Sequence, residues 1–184
     1  MKIIVGLGNP GEQYKNTRHN IGWLALDFYL GKVNWLKNKR FNALTYEDND
    51  TLFVKPLTFM NNSGQTVQSI LSYYKLLPKT LGLITKKDSD LNNDLLVIHD
   101  ELDLDFGTYK IATDSGSAGH RGVKSIIDCL KTKKFTRLRL GIKNELLRVY
   151  LPPNEFVLKP FKREEQEKLK ELLATINIKN LKNT

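Results

Sequence analysis

Residues 5–22 read VGLGNPGEQYKNTRHNIG and extend the apolar run that begins Lys2-Ile3-Ile4. Gly6, Gly8 and Gly11 match G-x-G-x-x-G, which after a strand opens a dinucleotide-binding unit. The residues beyond the glycines decide against that reading. A pyrophosphate needs a helix N-terminus inside the glycine motif. Pro10 offers no N–H and pushes Asn9 out of the helical region. Residues 12–16, EQYKN, carry no apolar periodicity, and helical spacing starts only near Asn20. The acid required after a second strand is missing too, because Asp27 falls within the predicted helix. With no G-K-[ST] following, the stretch is not a P-loop. It reads as a polar loop at the C-terminal end of a buried strand, carrying Asn9, Tyr14, Arg18, His19 and Asn20. Ligands of open α/β sheets gather outside such strand ends.

Working outward, strands and helices alternate without a repeat or a low-complexity linker. Ile3–Leu7 predicts a strand buried on both faces. Asn20–Leu30 predicts a helix with Ile21, Leu24, Ala25 and Phe28 inward. Asn42–Glu47 and Thr51–Lys55 flank the turn residues DND and predict a hairpin. Ser63–Leu76 predicts a helix, Leu95–His99 a second buried strand, and Gly107–Thr113 a strand. Gly122–Lys131 predicts a helix, Arg137–Ile142 a strand with alternating arginines, and Glu164–Ile176 a last amphipathic helix. The order argues for an α/β fold, a single domain over residues 1–184 with a mixed β-sheet flanked by helices. Residues 178–184 are expected to fray. The polar segment Thr85–Asp94 reads as a surface loop.

The 184 residues carry a net charge of +9, which suggests a polyanionic partner, either nucleic acid or anionic membrane, with nucleic acid favoured over charge that serves general solubility alone. No apolar run approaches the roughly 20 residues of a membrane span. The N-terminal run is broken too early by glycine and proline for a signal peptide. The single cysteine, Cys129, excludes an internal disulfide and a cysteine-based zinc site. A cytoplasmic protein is the expectation.

Three further segments resemble the opening loop in kind. KPLTFMNNSG (55–64) runs from a strand end to a helix start. IHDELDLDFG (98–107) follows a buried strand. SGSAGHRG (115–122) leads into a helix. Each of His19, His99 and His120 falls in one of the four segments. Asp100, first after its strand, is placed to orient a histidine ring and leave the other nitrogen as a base. No G-x-S-x-G occurs and Cys129 sits mid-helix, so a histidine activating water is the simpler scheme. Asp103 and Asp105 fit a solvated acidic turn. The histidine spacings match no local metal motif, and neither metal nor cofactor is expected.

In this order and spacing, GLGNPG…Y…TRHNIG, KPLTFMNNSG, HDELDL.FG and GHRG.KSI resemble the bacterial peptidyl-tRNA hydrolase family, from Lys2 to about Ile142, with a weaker echo in NEFVL (154–158). The resemblance implies a monomer with a mixed twisted sheet that cleaves the ester joining a peptide to the 3′ ribose of tRNA. It implies His19 as the catalytic base and Asp100 as its orienting acid. Asn9 is implied as a contact near the ester that helps reject free aminoacyl-tRNA, and Asn61 as a positioner of substrate and water. Tyr14 and Phe59 are implied as contacts to the tRNA end. Arg121 stands where the family commonly has asparagine; arginine cannot accept a hydrogen bond but binds phosphate or stacks on a base. Clustered cations are expected on tRNA phosphates. Lys110, Arg137 and Arg139 lead these candidates, followed by Lys124, Lys143 and Arg148. Two other classes stay open: a non-catalytic RNA-binding relative, and a metal-dependent hydrolase using the His/Asp cluster.

Overall fold

The computed structural model describes residues 1–80, 84–147 and 149–181. Its centre is β1 (Lys2–Gly6), which pairs in parallel with β4 (Thr51–Pro56) on one side and β7 (Leu95–Asp105) on the other. β9 (Thr136–Lys143) extends the parallel set beside β7. Antiparallel strands close both edges: β3 (Ala43–Asp48) and β2 (Leu36–Asn38) beyond β4, β8 (Tyr109–Ala112) beyond β9. The order is therefore β2-β3-β4-β1-β7-β9-β8, a mixed seven-stranded sheet. A short hairpin, β5 (Lys79–Thr80) with β6 (Ile84–Thr85), stands apart.

Side-chain alternation along β1 and β7 feeds two cores. Ile3, Val5, Leu95 and Val97 face α2 (Ser63–Tyr73) and α3 (Arg121–Leu130). Ile4, Leu96 and Ile98 face α1 (Ile21–Leu30) and α5 (Arg163–Ala174), with the short helix α4 (Pro153–Phe156) contributing Phe156. Both faces are thus covered, which is why these strands read as unbroken apolar runs. Tight packing explains one opening glycine directly. A Cβ on Gly6 would lie 2.3 Å from the Gly22 carbonyl oxygen, so the strand and the first helix touch backbone to backbone. Gly11 serves differently, with a φ of 113° that side chains rarely adopt.

Four details depart from the sequence reading. Phe28 is 41% exposed, and the inward face of α1 runs through Ile21, Gly22, Ala25 and Leu26. The acidic run after His99 is not a turn: β7 continues through it to Asp105, because β9 keeps pairing with it after β1 has ended. Strand β2 carried no alternation signal of its own. Ile178, placed in the fraying tail, is buried at 2% exposure in the core beneath α5. Among the described residues, no helix is long and apolar enough to cross a membrane.

Candidate active site

The chain leaves β1 to build β2–β4 on one side, then crosses to build β7–β9 on the other. The C-terminal end of β1 is therefore a topological switch point, where an open α/β sheet forms its crevice. A cleft of about 650 Å³ opens there. Its wall includes Asn9 and His19 after β1, Phe59 and Asn61 after β4, Asp100 on β7, and His120 before α3. The four segments singled out in the sequence converge on one cleft.

Asp100 is the hub. It is 2% exposed, and its Oδ1 lies 2.8 Å from His19 Nδ1 and 2.9 Å from His120 Nε2. The network assigns the tautomers. His120 Nδ1 accepts the amide hydrogens of Gly122 and Val123, capping α3, so its proton sits on Nε2 and is donated to Asp100. Burial alone raises a carboxyl pKa, but the His19 and His120 rings outweigh it and hold Asp100 well below the usual carboxylate range. An ionised Asp100 only accepts, so His19 donates from Nδ1. In the neutral ring this tautomer leaves Nε2 free to accept a proton.

His99 lies beneath this pair with 1% exposure and does not reach the cleft wall. Its Nδ1 bonds the Asp100 carbonyl at 2.7 Å, and its ring packs on His120 with centroids 4.8 Å apart. Burial first, then the neighbouring His120, push its pKa well down. It is a neutral buttress.

Asn9 is fixed as firmly. Its side-chain oxygen accepts the Met60 amide hydrogen at 2.8 Å, which leaves the NH₂ as its free end. Its backbone N–H and C=O are both taken by the side chain of Asn20, at 2.9 and 3.0 Å. Asn20 is fully buried; the sequence placed it in the polar loop without a role of its own, and although it stands at the start of α1 its side chain makes no capping bond. Asn61 is exposed on the turn before α2, and its side chain bonds no other described residue. Tyr14 and Phe59 meet edge to face at the mouth, centroids 6.5 Å apart. Arg121, exposed at the first position of α3, lines the same cleft and forms no ion pair among the described residues.

The expected cation stripe needs correction. Arg137 is 1% exposed and donates to the Gly116 and Ser115 carbonyls at 2.8 and 2.6 Å, anchoring the loop before His120. Burial, with Arg139's charge adding, lowers its pKa to about 10, so it stays charged while unavailable to phosphate. Arg139 is partly exposed and pairs with Glu101 through Nε at 2.8 Å. Lys110 is exposed directly across from it on β8. Lys124 and Lys143 are engaged with Asp128 and Asp105, and Arg148 lies outside the described residues.

His19, Asp100 and His120 also bring three ligand-type atoms within 4.8 Å of one another. Ligands sharing a zinc ion at 2.0–2.1 Å stand about 3.3 Å apart. The 2.8 and 2.9 Å separations here are hydrogen bonds, and the proton on His120 Nε2 occupies the ligand position. As arranged, the cluster suits proton handling better than metal binding.

The family model described as peptidyl-tRNA hydrolase matches residues 3–181. A peptidyl-tRNA hydrolase of Mycoplasma capricolum subsp. capricolum is 44% identical over 181 residues, covering 93% of this chain and 86% of that one. One of Lactobacillus gasseri is 38% identical over 176 residues, covering 91% and 84%. Among solved structures, the crystal structure of peptidyl-tRNA hydrolase from Acinetobacter baumannii superposes with a TM-score of 0.77 at 28% identity, covering 95% of this chain and 83% of that one. A match across nearly the whole length, in sequence and in fold, leaves one conclusion: the chain belongs to the peptidyl-tRNA hydrolase family.

Proposed function

We propose that this chain hydrolyses the ester between a peptide and the 3′ ribose of tRNA by general-base activation of water at His19. The observation that carries the reading is the 2.8 Å bond from His19 Nδ1 to a buried, ionised Asp100 in a cleft shared with the Asn9 amide. Asp100 holds the ring and balances the imidazolium that forms as His19 Nε2 takes a proton from the attacking water. Such assistance is worth about 10²–10⁴-fold. The free NH₂ of Asn9 donates to the acyl carbonyl or the developing oxyanion, and Asn61 supplies a second amide.

The orientation of Asn9 also supports discrimination. With its oxygen engaged by Met60, it presents only donors. The carbonyl of an N-acylated residue accepts them; the α-ammonium of free aminoacyl-tRNA is itself a donor and leaves both groups unpaired. Tyr14 and Phe59 offer faces for the terminal bases. Arg121, Lys110 and Arg139 meet phosphates. The protein acts as a cytoplasmic monomer without metal or cofactor. The test is hydrolysis of N-acyl-aminoacyl-tRNA and free aminoacyl-tRNA in parallel: turnover of the first and little of the second is expected. Binding of both without turnover would instead favour a non-catalytic RNA-binding relative.

A further inference from the structure

We propose that Arg18 and Glu165 are positioning residues for this reaction: their largely buried ion pair locks the turn carrying His19 to the start of α5 and to the segment following α4, whose Val157 and Leu158 help wall the cleft, so that substrate seated against that wall orients the base. The inference rests on the hydrolytic reading of the site.

Arg18 precedes His19 in the same 3₁₀ turn, Arg18–Asn20, and is 1% exposed. Its Nη2 donates to both oxygens of Glu165, at 2.7 and 2.8 Å, and its Nη1 donates to the carbonyls of Lys159 and Pro160, at 3.1 and 2.7 Å. The guanidinium lies over the Phe156 and Phe161 rings, 4.6 and 5.3 Å from their centroids. Glu165 collects two more bonds, from Asn144 Nδ2 at 2.8 Å and from the Lys162 amide at 2.7 Å. One carboxylate thus ties together the His19 turn, the segment after β9 and the start of α5.

The main chain repeats the connection. Arg18 N–H donates to the Lys159 carbonyl at 3.1 Å, His19 N–H to the Val157 carbonyl at 2.8 Å, and Phe161 N–H to the Asn16 carbonyl at 2.9 Å. Val157 is the shared residue: it lines the cleft and its carbonyl holds the His19 amide. Pro153, Asn154 and Leu158 complete that wall. Asp100 is set independently, on a strand in the middle of the sheet. The position of His19 relative to Asp100 and to the ester therefore depends on where the wall stands. A buried ion pair returns little net stability compared with apolar packing of the same volume, so geometry is the better account of this one.

Glu165→Gln and Arg18→Lys remove the charge and the fork respectively with little change of volume. Each is expected to lower kcat on N-acyl-aminoacyl-tRNA by about 10–100-fold with KM within about threefold, the signature of a misplaced base. Leu173→Ala, a core truncation on the same helix, is the control: a comparable fall in Tm without that fall in kcat separates positioning from stability. A kcat in both charge-pair variants within threefold of wild type, or falling only as far as in Leu173→Ala, overturns the proposal. Should the variants fail to fold, the wild-type protein decides, titrated with an N-acylaminoacyl-adenosine whose ester is replaced by an amide. NMR signals of the Arg18 guanidinium and the His19 ring moving together support the coupling; His19 shifting while Arg18 stays fixed removes it. Full turnover in His19→Ala, measured alongside, would remove the hydrolytic reading itself rather than the ion pair's part in it.

Discussion

Asn20 holds the main chain of Asn9 from both sides, accepting from its N–H at 2.9 Å and donating to its C=O at 3.0 Å. Eleven positions of sequence separate the two, and the loop's entrance and exit are clasped by this one side chain. Its amide sets where Asn9 stands, just as Met60 sets which way Asn9 points. Asn20→Ala is expected to leave the Asn9 N–H and C=O buried and unpaired, costing roughly 1–3 kcal/mol for each group that finds no partner. Thermal unfolding together with kcat measures this: both Tm and turnover should fall. Unchanged turnover would mean Asn9 needs no such clasp.

Asn9→Asp tests the direction of the amide. The aspartate keeps an oxygen for the Met60 N–H but replaces the free donor by an acceptor. Losing one donor at a developing oxyanion costs about 10²–10³ in kcat. The variant should stay folded, lose at least a hundredfold in turnover, and lose discrimination against free aminoacyl-tRNA, whose ammonium an aspartate would welcome. Retained preference for the blocked substrate would place the selecting group elsewhere.

How far the sequence led is visible in the same residues. The central strands were legible because burial on both faces writes an unbroken apolar run, and the cleft was legible because its four polar segments each border the end of a strand or the start of a helix that the apolar pattern marks. Long-range partners were not. Nothing local in TRHN says that Asn20 turns back to Asn9 while Arg18 turns away to Glu165, 147 positions on. Arg137 and Arg139 share a strand face by period, but period cannot tell which of two arginines lies under a loop and which reaches the rim. Phe28 failed for the opposite reason: apolar residues at helical spacing do not all find a partner.

Chelation separates proton chemistry from metal chemistry at the histidine cluster. With Asp100 Oδ1 already bonded to both rings, hydrolysis of N-acyl-aminoacyl-tRNA is expected to be unchanged after exhaustive treatment with EDTA. Loss of activity that returns on adding a divalent ion would favour the metal-dependent hydrolase.

The cations divide by salt dependence. Lys110→Ala should reduce the slope of log affinity against log salt by about 0.7–0.9, one phosphate contact, with kcat little altered. Arg137→Ala should behave otherwise. It leaves the Ser115 and Gly116 carbonyls without their donors and costs roughly 2–3 kcal/mol of stability, with no comparable change in salt slope. The reverse pattern would restore Arg137 to the interface.

Acid stability reports on the buried groups behind the site. His99 has its folded pKa depressed by burial and by His120, so the native protein keeps it neutral where the unfolded chain binds a proton. As pH falls through the ordinary histidine value near 6.5, the unfolded state gains that proton and stability drops. The slope from this group is about 1.4 kcal/mol per pH unit, until the native pKa is reached. Asp100 acts lower. Its folded pKa is depressed below the carboxylate range, so its contribution is intact above the unfolded value near 3.8 and is lost as pH falls through the folded one. Between roughly pH 6 and pH 4 the slope from these two groups therefore belongs to His99. Urea unfolding of wild type and His99→Asn across that range should give a shallower slope for the variant by close to one proton. Parallel curves would mean that His99 takes up its proton in the folded state as readily as in the unfolded one.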